Sequence, residues 1–271
     1  MRCRMTAISR DAVISETTPT ANFAAMSRTV IVTGAASGMG AASARLFAEE
    51  GDHVFVVDRD EVGAHRVAAE VFGTPVVGDV TDSSFCDDVV ARAVEERGRL
   101  HVLVNAAGTI VRADADGTSD EDFLRVMNVN VTGTFYLCRA AVRAMKAAGG
   151  GAIVNFGSMW GDAGGKGHVA YCASKGAIHN MTRALALDHA RDGIRVNGVC
   201  PGEVDTPMLR GAGRAAPVSD EYLADMADRV VPLGRLARPE EIGRVVVFLA
   251  SDAASYMTGA LVAVDAGVTA G

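Results

Sequence analysis

The chain has 271 residues, 49% of them hydrophobic and 22% charged, with 30 glycines and a formal charge of −7. That length and balance fit a soluble globular protein with a sizeable core, and the negative charge argues against a nucleic-acid partner, which needs a basic face to displace counterions. No apolar run reaches the roughly 18–20 residues of a membrane helix, and five scattered cysteines without a C-x-x-C pair indicate a reducing cytoplasm rather than a disulfide framework or a metal site.

Residues 1–27 carry Arg2 and Arg4 but no continuous apolar segment of the secretory kind, so they read as a disordered tail ahead of one domain over 28–271. Met26, just before the first strand pattern, is an alternative start of translation. From there β-branched runs recur: 29–33 (TVIVT), 53–58 (HVFVVD), 75–80 (PVVGDV), 100–105 (LHVLVN), 151–156 (GAIVNF), 194–199 (IRVNGV) and 260–265 (ALVAVD). Nearly continuous apolar strands are buried on both faces, which predicts a parallel sheet covered by helices.

The intervening stretches have helical periodicity. Met39, Ala42, Leu46 and Phe47 share one face, and so do Phe85, Val89, Val90 and Val94, with Thr81 or Asp82 as the cap of the second helix. Two longer helices are expected at about 120–148 and 170–191. The order predicts an α/β, doubly wound, Rossmann-type sheet of seven parallel strands with right-handed crossovers. Only 202–235 breaks the rhythm, with "GAGRAAP" and then a short amphipathic segment; a long irregular insertion after a strand reads as a lid.

"TGAASGMG" at 33–40 follows the first strand and opens a helix. Glycines there admit a pyrophosphate close to the backbone, where helix amides are free, giving Gly34, Ser37, Gly38, Met39 and Gly40 as cofactor contacts. Asp58 ends the second strand eighteen residues beyond Gly40, where a carboxylate accepts from the ribose hydroxyls. A 2′-phosphate beside it would meet repulsion of about 4 kcal/mol per pair at 4 Å and an effective dielectric near 20. NAD is therefore expected over NADP, although Arg59 could stack on adenine or rescue some NADP binding. Asp79 and Val80 at the end of the third strand, and "NAAG" (Asn105, Ala106, Ala107, Gly108) at the end of the fourth, extend the expected cofactor wall.

Further along, Ser158 stands thirteen residues before Tyr171, Lys175 four after it, and "PG" at Pro201 and Gly202. Taken with the glycine loop and "NAAG", the order and spacing of these motifs resemble the short-chain dehydrogenase/reductase family from about Arg28 to the C-terminus. The resemblance implies a strand order of 3-2-1-4-5-6-7, a nicotinamide cofactor and a homotetramer built through the two long helices. It also implies a catalytic tetrad of Asn130, Ser158, Tyr171 and Lys175, with Asn130 at a local helix distortion where it holds a water linking the lysine to solvent, and a nicotinamide clamp of Pro201, Gly202, Val204 and Thr206.

The chemistry can be argued independently of the family. Moving a hydride to or from an alcohol carbon needs a partner for the oxygen's proton. A tyrosine with a pKa of about 10 must drop roughly three units, or about 4 kcal/mol, to serve near neutrality. A neighbouring cation supplies about one to three of them, so Lys175, helped by the positive nicotinamide ring, is sufficient in magnitude. Lys175 would also hold the nicotinamide ribose, and Ser158 would stabilise the substrate oxygen. Trp160, Met159, His168, Glu203, Met208 and the residues of the lid are expected around the substrate; His168 could instead be a solvent-facing loop residue. The sequence thus predicts an NAD-dependent oxidoreductase of secondary alcohols or ketones. Its alternatives are an NADPH-dependent 3-oxoacyl thioester reductase and a non-catalytic NAD sensor or scaffold.

Overall fold

In a computed structural model that describes residues 27–211 and 216–270, strands and helices alternate along the chain. The first half runs β1 (Thr29–Thr33), α1 (Gly38–Glu49), β2 (His53–Asp58), α2 (Glu61–Glu70), β3 (Thr74–Val77), α3 (Ser83–Arg97) and β4 (Val102–Asn105). There follow α4 (Asp120–Met127), a π-helical turn (Asn128–Gly133), α5 (Thr134–Ala147), β5 (Gly151–Phe156), α6 (Val169–His189) and β6 (Ile194–Pro201). The chain closes with α7 (Pro207–Arg210), α8 (Asp220–Val230), α9 (Pro239–Ala250) and β7 (Leu261–Val264). The expected tail lies outside the described residues except for Ser27.

All seven strands are parallel, in the order β3-β2-β1-β4-β5-β6-β7. Strand side chains alternate between faces, and the core divides accordingly. Val30, Val32, Val54, Val56, Val102 and Val104 pack with Phe47 of α1 and Ile242, Val246 and Leu249 of α9. Ile31, Phe55, Val57, Leu103 and Ile153 pack on the other side with Val89 and Val90 of α3 and Leu137 and Met145 of α5. This two-sided burial is why the strands read as unbroken apolar runs.

The connections run outward from β1 to β2 and β3, then return to β4 on the opposite side of β1. Such a reversal opens a crevice at the carboxyl ends of the two strands. Thr33 stitches it from inside, its Oγ1 accepting from Ala106 N at 3.2 Å and Ala107 N at 3.1 Å.

The structure alters or decides three local points. The third strand stops at Val77 rather than 80, because Gly78 packs against the Phe85 ring and Asp79 Oδ1 turns back to accept from Thr81 N at 2.9 Å. Asp82 rather than Thr81 caps α3, accepting from Ser84 N and Phe85 N. The long helix expected at 120–148 is interrupted at Asn128–Gly133 by a widened turn, the sort of distortion often found at functional sites. Among the described residues, no helix is long and apolar enough to cross a membrane.

Candidate active site

At the nucleotide end the backbone approaches itself so closely that side chains are excluded. A Cβ on Gly40 would lie 2.2 Å from Gly34 O, and one on Gly34, whose φ is +64°, would lie 2.7 Å from Ala107 N. Ser37 precedes α1 in extended conformation, exposed, and its hydroxyl caps no helix amide. The first turn of α1 therefore keeps unsatisfied N–H groups, which suits an anionic ligand.

These residues line one side of a cavity of ≈ 310 Å³ that runs past Asp58, Arg59, Asp79 and Val80 to Ala106, Ala107 and Gly108. Asp58 is held in place by the loop it faces: Oδ2 accepts from Ala36 N and Oδ1 from Asp60 N, both at 3.0 Å. Cradle, open amides and a fixed carboxylate are the donor and acceptor set a dinucleotide needs.

Asn105 departs from expectation. Its side chain points into the sheet, donating to Asn155 Oδ1 at 2.9 Å, and Asn155 in turn donates to Thr182 Oγ1 at 3.0 Å. It ties β4 to β5 and α6 and does not line the cleft. An asparagine at a strand end can satisfy either a ligand or its neighbours, and here the neighbours are within reach first.

The adjoining cavity, ≈ 260 Å³, holds Ser158, Tyr171 and Lys175. Met39, Ala106, Gly108, Thr206 and Met208 line both cavities, so one groove runs from Asp58 to Tyr171. Its walls include Pro201 at the end of β6 and Gly202 and Val204 beyond it, together with Met159, Trp160, His168 and Glu203. The sequence-predicted substrate residues thus converge on one place. His168 is not turned to solvent: its ring packs on Trp160 with centroids 4.4 Å apart, and Trp160 meets Tyr171 edge-on at 6.3 Å.

Asn130 sits in the widened turn and is 1% exposed. Its Oδ1 accepts from Thr109 N at 2.8 Å, and its Nδ2 donates to Thr109 O and to Ser174 Oγ at 2.9 Å. It therefore fastens the loop after β4 to α6 one residue before Lys175. The Lys175 ammonium, buried, donates to Phe156 O at 2.7 Å and lies 5.5 Å from the Tyr171 ring centroid.

Burial pushes the Lys175 amine down to about 8. Burial likewise pushes the Tyr171 phenol up to about 12, opposed by the Ser158 hydrogen bond and the Arg112 charge and reinforced by Glu203. Both shifts belong to the protein alone, without the positive nicotinamide ring expected beside Lys175.

Comparison with known proteins follows this geometry. A family model described as enoyl-(acyl carrier protein) reductase matches residues 34–269. The cis-4-hydroxycyclohexanecarboxylate dehydrogenase of Sinomonas cyclohexanicum is 44% identical over 249 residues, covering 90% of this chain and 97% of its own. The L-tagatose-forming galactitol 2-dehydrogenase of Cereibacter sphaeroides is also 44% identical, covering 88% and 93%. A 3-ketoacyl-(acyl-carrier-protein) reductase from Brucella melitensis, solved with NADH, superposes with a TM-score of 0.82 at 32% identity, covering 89% of this chain and 98% of that one.

The chain belongs to the short-chain dehydrogenase/reductase family. As a member it binds a nicotinamide cofactor and is an NAD(P)-dependent oxidoreductase of CH–OH groups.

Two wall residues, Arg112 and Ile110, had not been expected from sequence, and the lid residues had been expected only as a group. Arg112 reaches over from the loop after β4 and donates to Met208 O at 2.9 Å. Ile110, Leu209, Tyr222 and Met226 supply apolar surface. Only the last three fall in the 202–235 insertion, where spacing offered a location but no orientation. For Arg112 no sequence signal existed, since its position depends on how the loop beyond Gly108 folds back over the cleft.

Proposed function

We propose that the protein is an NAD-dependent dehydrogenase of a small polyol or cyclic secondary alcohol, or of the corresponding hydroxy-ketone. The carrying observation is the continuous groove with Asp58 at one end and Ser158, Tyr171 and Lys175 at the other. The names of the two relatives at 44% identity support the substrate class. A 3-ketoacyl-(acyl-carrier-protein) reductase was solved with NADH, so an NADH site does not by itself exclude a 3-oxoacyl thioester reductase. The acyl reading therefore stands as the second hypothesis.

The cofactor would lie against Gly34, Ser37, Gly38, Met39 and Gly40, with Asp58 accepting from its adenosine ribose and Pro201, Gly202, Val204 and Thr206 beside the nicotinamide. When bound it supplies the hydride acceptor or donor and, when oxidised, a positive ring. The rest is done by the chain. Ser158 Oγ accepts from Trp160 N at 3.2 Å and donates to the phenol; a substrate oxygen entering between the two would take that donated bond. Tyr171 gives or takes that oxygen's proton. Lys175, anchored by Phe156 O, has further N–H groups for the nicotinamide ribose. Asn130 keeps the Thr109 loop and α6 in register. Arg59 would lie along the adenine.

The 202–235 segment acts as a lid. Arg210 holds its first part to Asp205 at 2.5 and 2.8 Å and to Asp220 at 2.6 Å, and it places Met208, Leu209, Tyr222 and Met226 over the site. The protein works in the cytoplasm as a homotetramer, an assembly to which exposed Phe135 on α5 and Leu187 on α6 would contribute.

The test is a panel of galactitol, 2,3-butanediol, hydroxycyclohexanecarboxylates and 3-oxoacyl thioesters, each run with both nicotinamide couples and followed by NADH or NADPH absorbance. Turnover of an alcohol with NAD is expected, with NADPH binding more weakly. Preference for NADPH would overturn the cofactor assignment, and turnover of the thioester alone would favour the second hypothesis. Inactivity throughout would support a binding module.

A further inference from the structure

Tyr171, Lys175 and His179 follow one another at intervals of four along α6, so the three side chains share a helical face. The first two open on the groove. The third lies below it, 2% exposed, against the turn that carries Ser158. The fit there is close: a Cβ on Gly157 would be 2.4 Å from His179 Nε2, and one on Gly161 would be 2.2 Å from Cε1. Glycine on both sides of the Ser158 turn lets its backbone lie directly on the imidazole.

The polar contacts give the ring a direction. His179 Nε2 is 3.4 Å from Ser158 N and 3.3 Å from Cys200 Sγ. A backbone amide only donates, so toward Ser158 N the Nε2 presents its lone pair and the ring proton belongs on Nδ1; the same amide also reaches Cys200. Asp162 Oδ2 lies 3.0 Å from Nδ1. Nδ1 makes no aligned hydrogen bond, so this carboxylate acts on the ring through its charge. Asp162 is itself steadied by Arg183, 3.7 Å away.

We infer that His179 is a positioning residue for Ser158. Asp162 favours the Nδ1–H tautomer, Nε2 then takes the Ser158 amide, and the Ser158 hydroxyl is held toward Trp160 N and the phenol. The ring touches neither substrate nor cofactor; it acts through the turn above it. The inference rests on the proposed role of Ser158 in binding the substrate oxygen, and a displacement of an ångström at such a group is enough to cost roughly 10²-fold in rate.

Two measurements test it. The first needs no turnover: in the full-length protein with 15N-labelled histidine, the His179 ring should show a protonated Nδ1 and an unprotonated Nε2, and an Nε2–H ring would overturn the assignment. In D162N the ring should lose this bias and show a larger Nε2–H fraction; an unchanged spectrum would remove Asp162 from the account.

The second is a double-mutant cycle on the fastest alcohol of the panel, with thermal melts as the folding control. H179L should lower kcat roughly ten-fold with KM and NAD affinity within about two-fold. H179Q, which restores an acceptor, should recover most of the loss, and H179L in an S158A background should add nothing further. Full kcat in H179L, or losses that multiply in the double variant, would overturn the inference. If H179L does not fold, H179Q behaving worse than D162N would do the same. Full activity of S158A would instead refute the reading on which it rests.

Discussion

The same burial drives Tyr171 and Lys175 in opposite directions, and both shifts disfavour the charged form. A phenol at about 12 is neutral in the protein alone, ready to donate a proton to a ketone but not to accept one from an alcohol. To act as a base near pH 7 it must fall about five units, or about 7 kcal/mol. That exceeds what one neighbouring cation supplies, so the positive ring of the oxidised cofactor, expected from sequence to help Lys175, must bring part of the field. A spectrophotometric titration of tyrosinate should therefore show no Tyr171 component below about pH 11 without ligand, judged by the difference between wild type and Y171F. With saturating NAD the component should move to lower pH; an unmoved titration would mean the cofactor does not tune the phenol. Y171F should lose roughly 10²–10⁴-fold in kcat while keeping NAD affinity, measured by NADH formation and by fluorescence titration. Retained turnover would assign the proton to another group.

At the scale of elements, the glycine loop is constrained more tightly than its pattern revealed. Gly40 opposes Gly34 O at a distance no Cβ tolerates, so G40A must open the turn between β1 and α1. It is expected to lower NAD affinity at least ten-fold, about 1.4 kcal/mol, in a fluorescence titration, with the sheet's circular dichroism retained. The far border of the 202–235 segment is fixed at α9. Glu241 accepts from Arg238 N at 2.8 Å and pairs with Arg235, whose guanidinium holds its carboxyl down to about 2. A depressed carboxylate contributes stability above its unfolded value near 4.5 and loses it as pH falls through about 2. E241Q should lower Tm by roughly 2–4 °C between pH 5 and 7, for a cap and ion pair together worth about 1 kcal/mol. The difference from wild type should shrink toward pH 2, and a pH-independent difference would remove the ion pair as its cause. Strands such as 29–33, 53–58 and 151–156 were legible to the residue because burial on both faces leaves only apolar positions. The end of β3 was not, because Asp79 stops the ladder with a side chain rather than a break in hydrophobicity. The interruption at Asn130 was invisible in periodicity and was expected only through the family resemblance.

For the whole molecule, the proposed catalytic groups could be picked out by spacing and the proposed cofactor loop by its glycines, while Arg112 could not, and Tyr222 and Met226 only as part of the lid. Their placement follows from tertiary folding of the loop after β4 and of α8, which no local rule encodes. The sheet supplies what joins these parts. β1 and β4 diverge at Thr33, the groove begins there, and cofactor contacts are expected from both halves of the chain. A ligand spanning that divide binds only the folded state, so its affinity adds to global stability by mass action. At 100 times its Kd, NAD should stabilise the protein by about 2.7 kcal/mol. For a domain of this size that raises Tm by roughly 5–11 °C. NADP at the same concentration should give a smaller rise, because its 2′-phosphate meets Asp58, and D58A should narrow the gap between the two. Differential scanning fluorimetry with each nucleotide reads this without any substrate. Equal shifts from both nucleotides in wild type would show that Asp58 does not discriminate, and the cofactor assignment would then fall while the catalytic one could still stand.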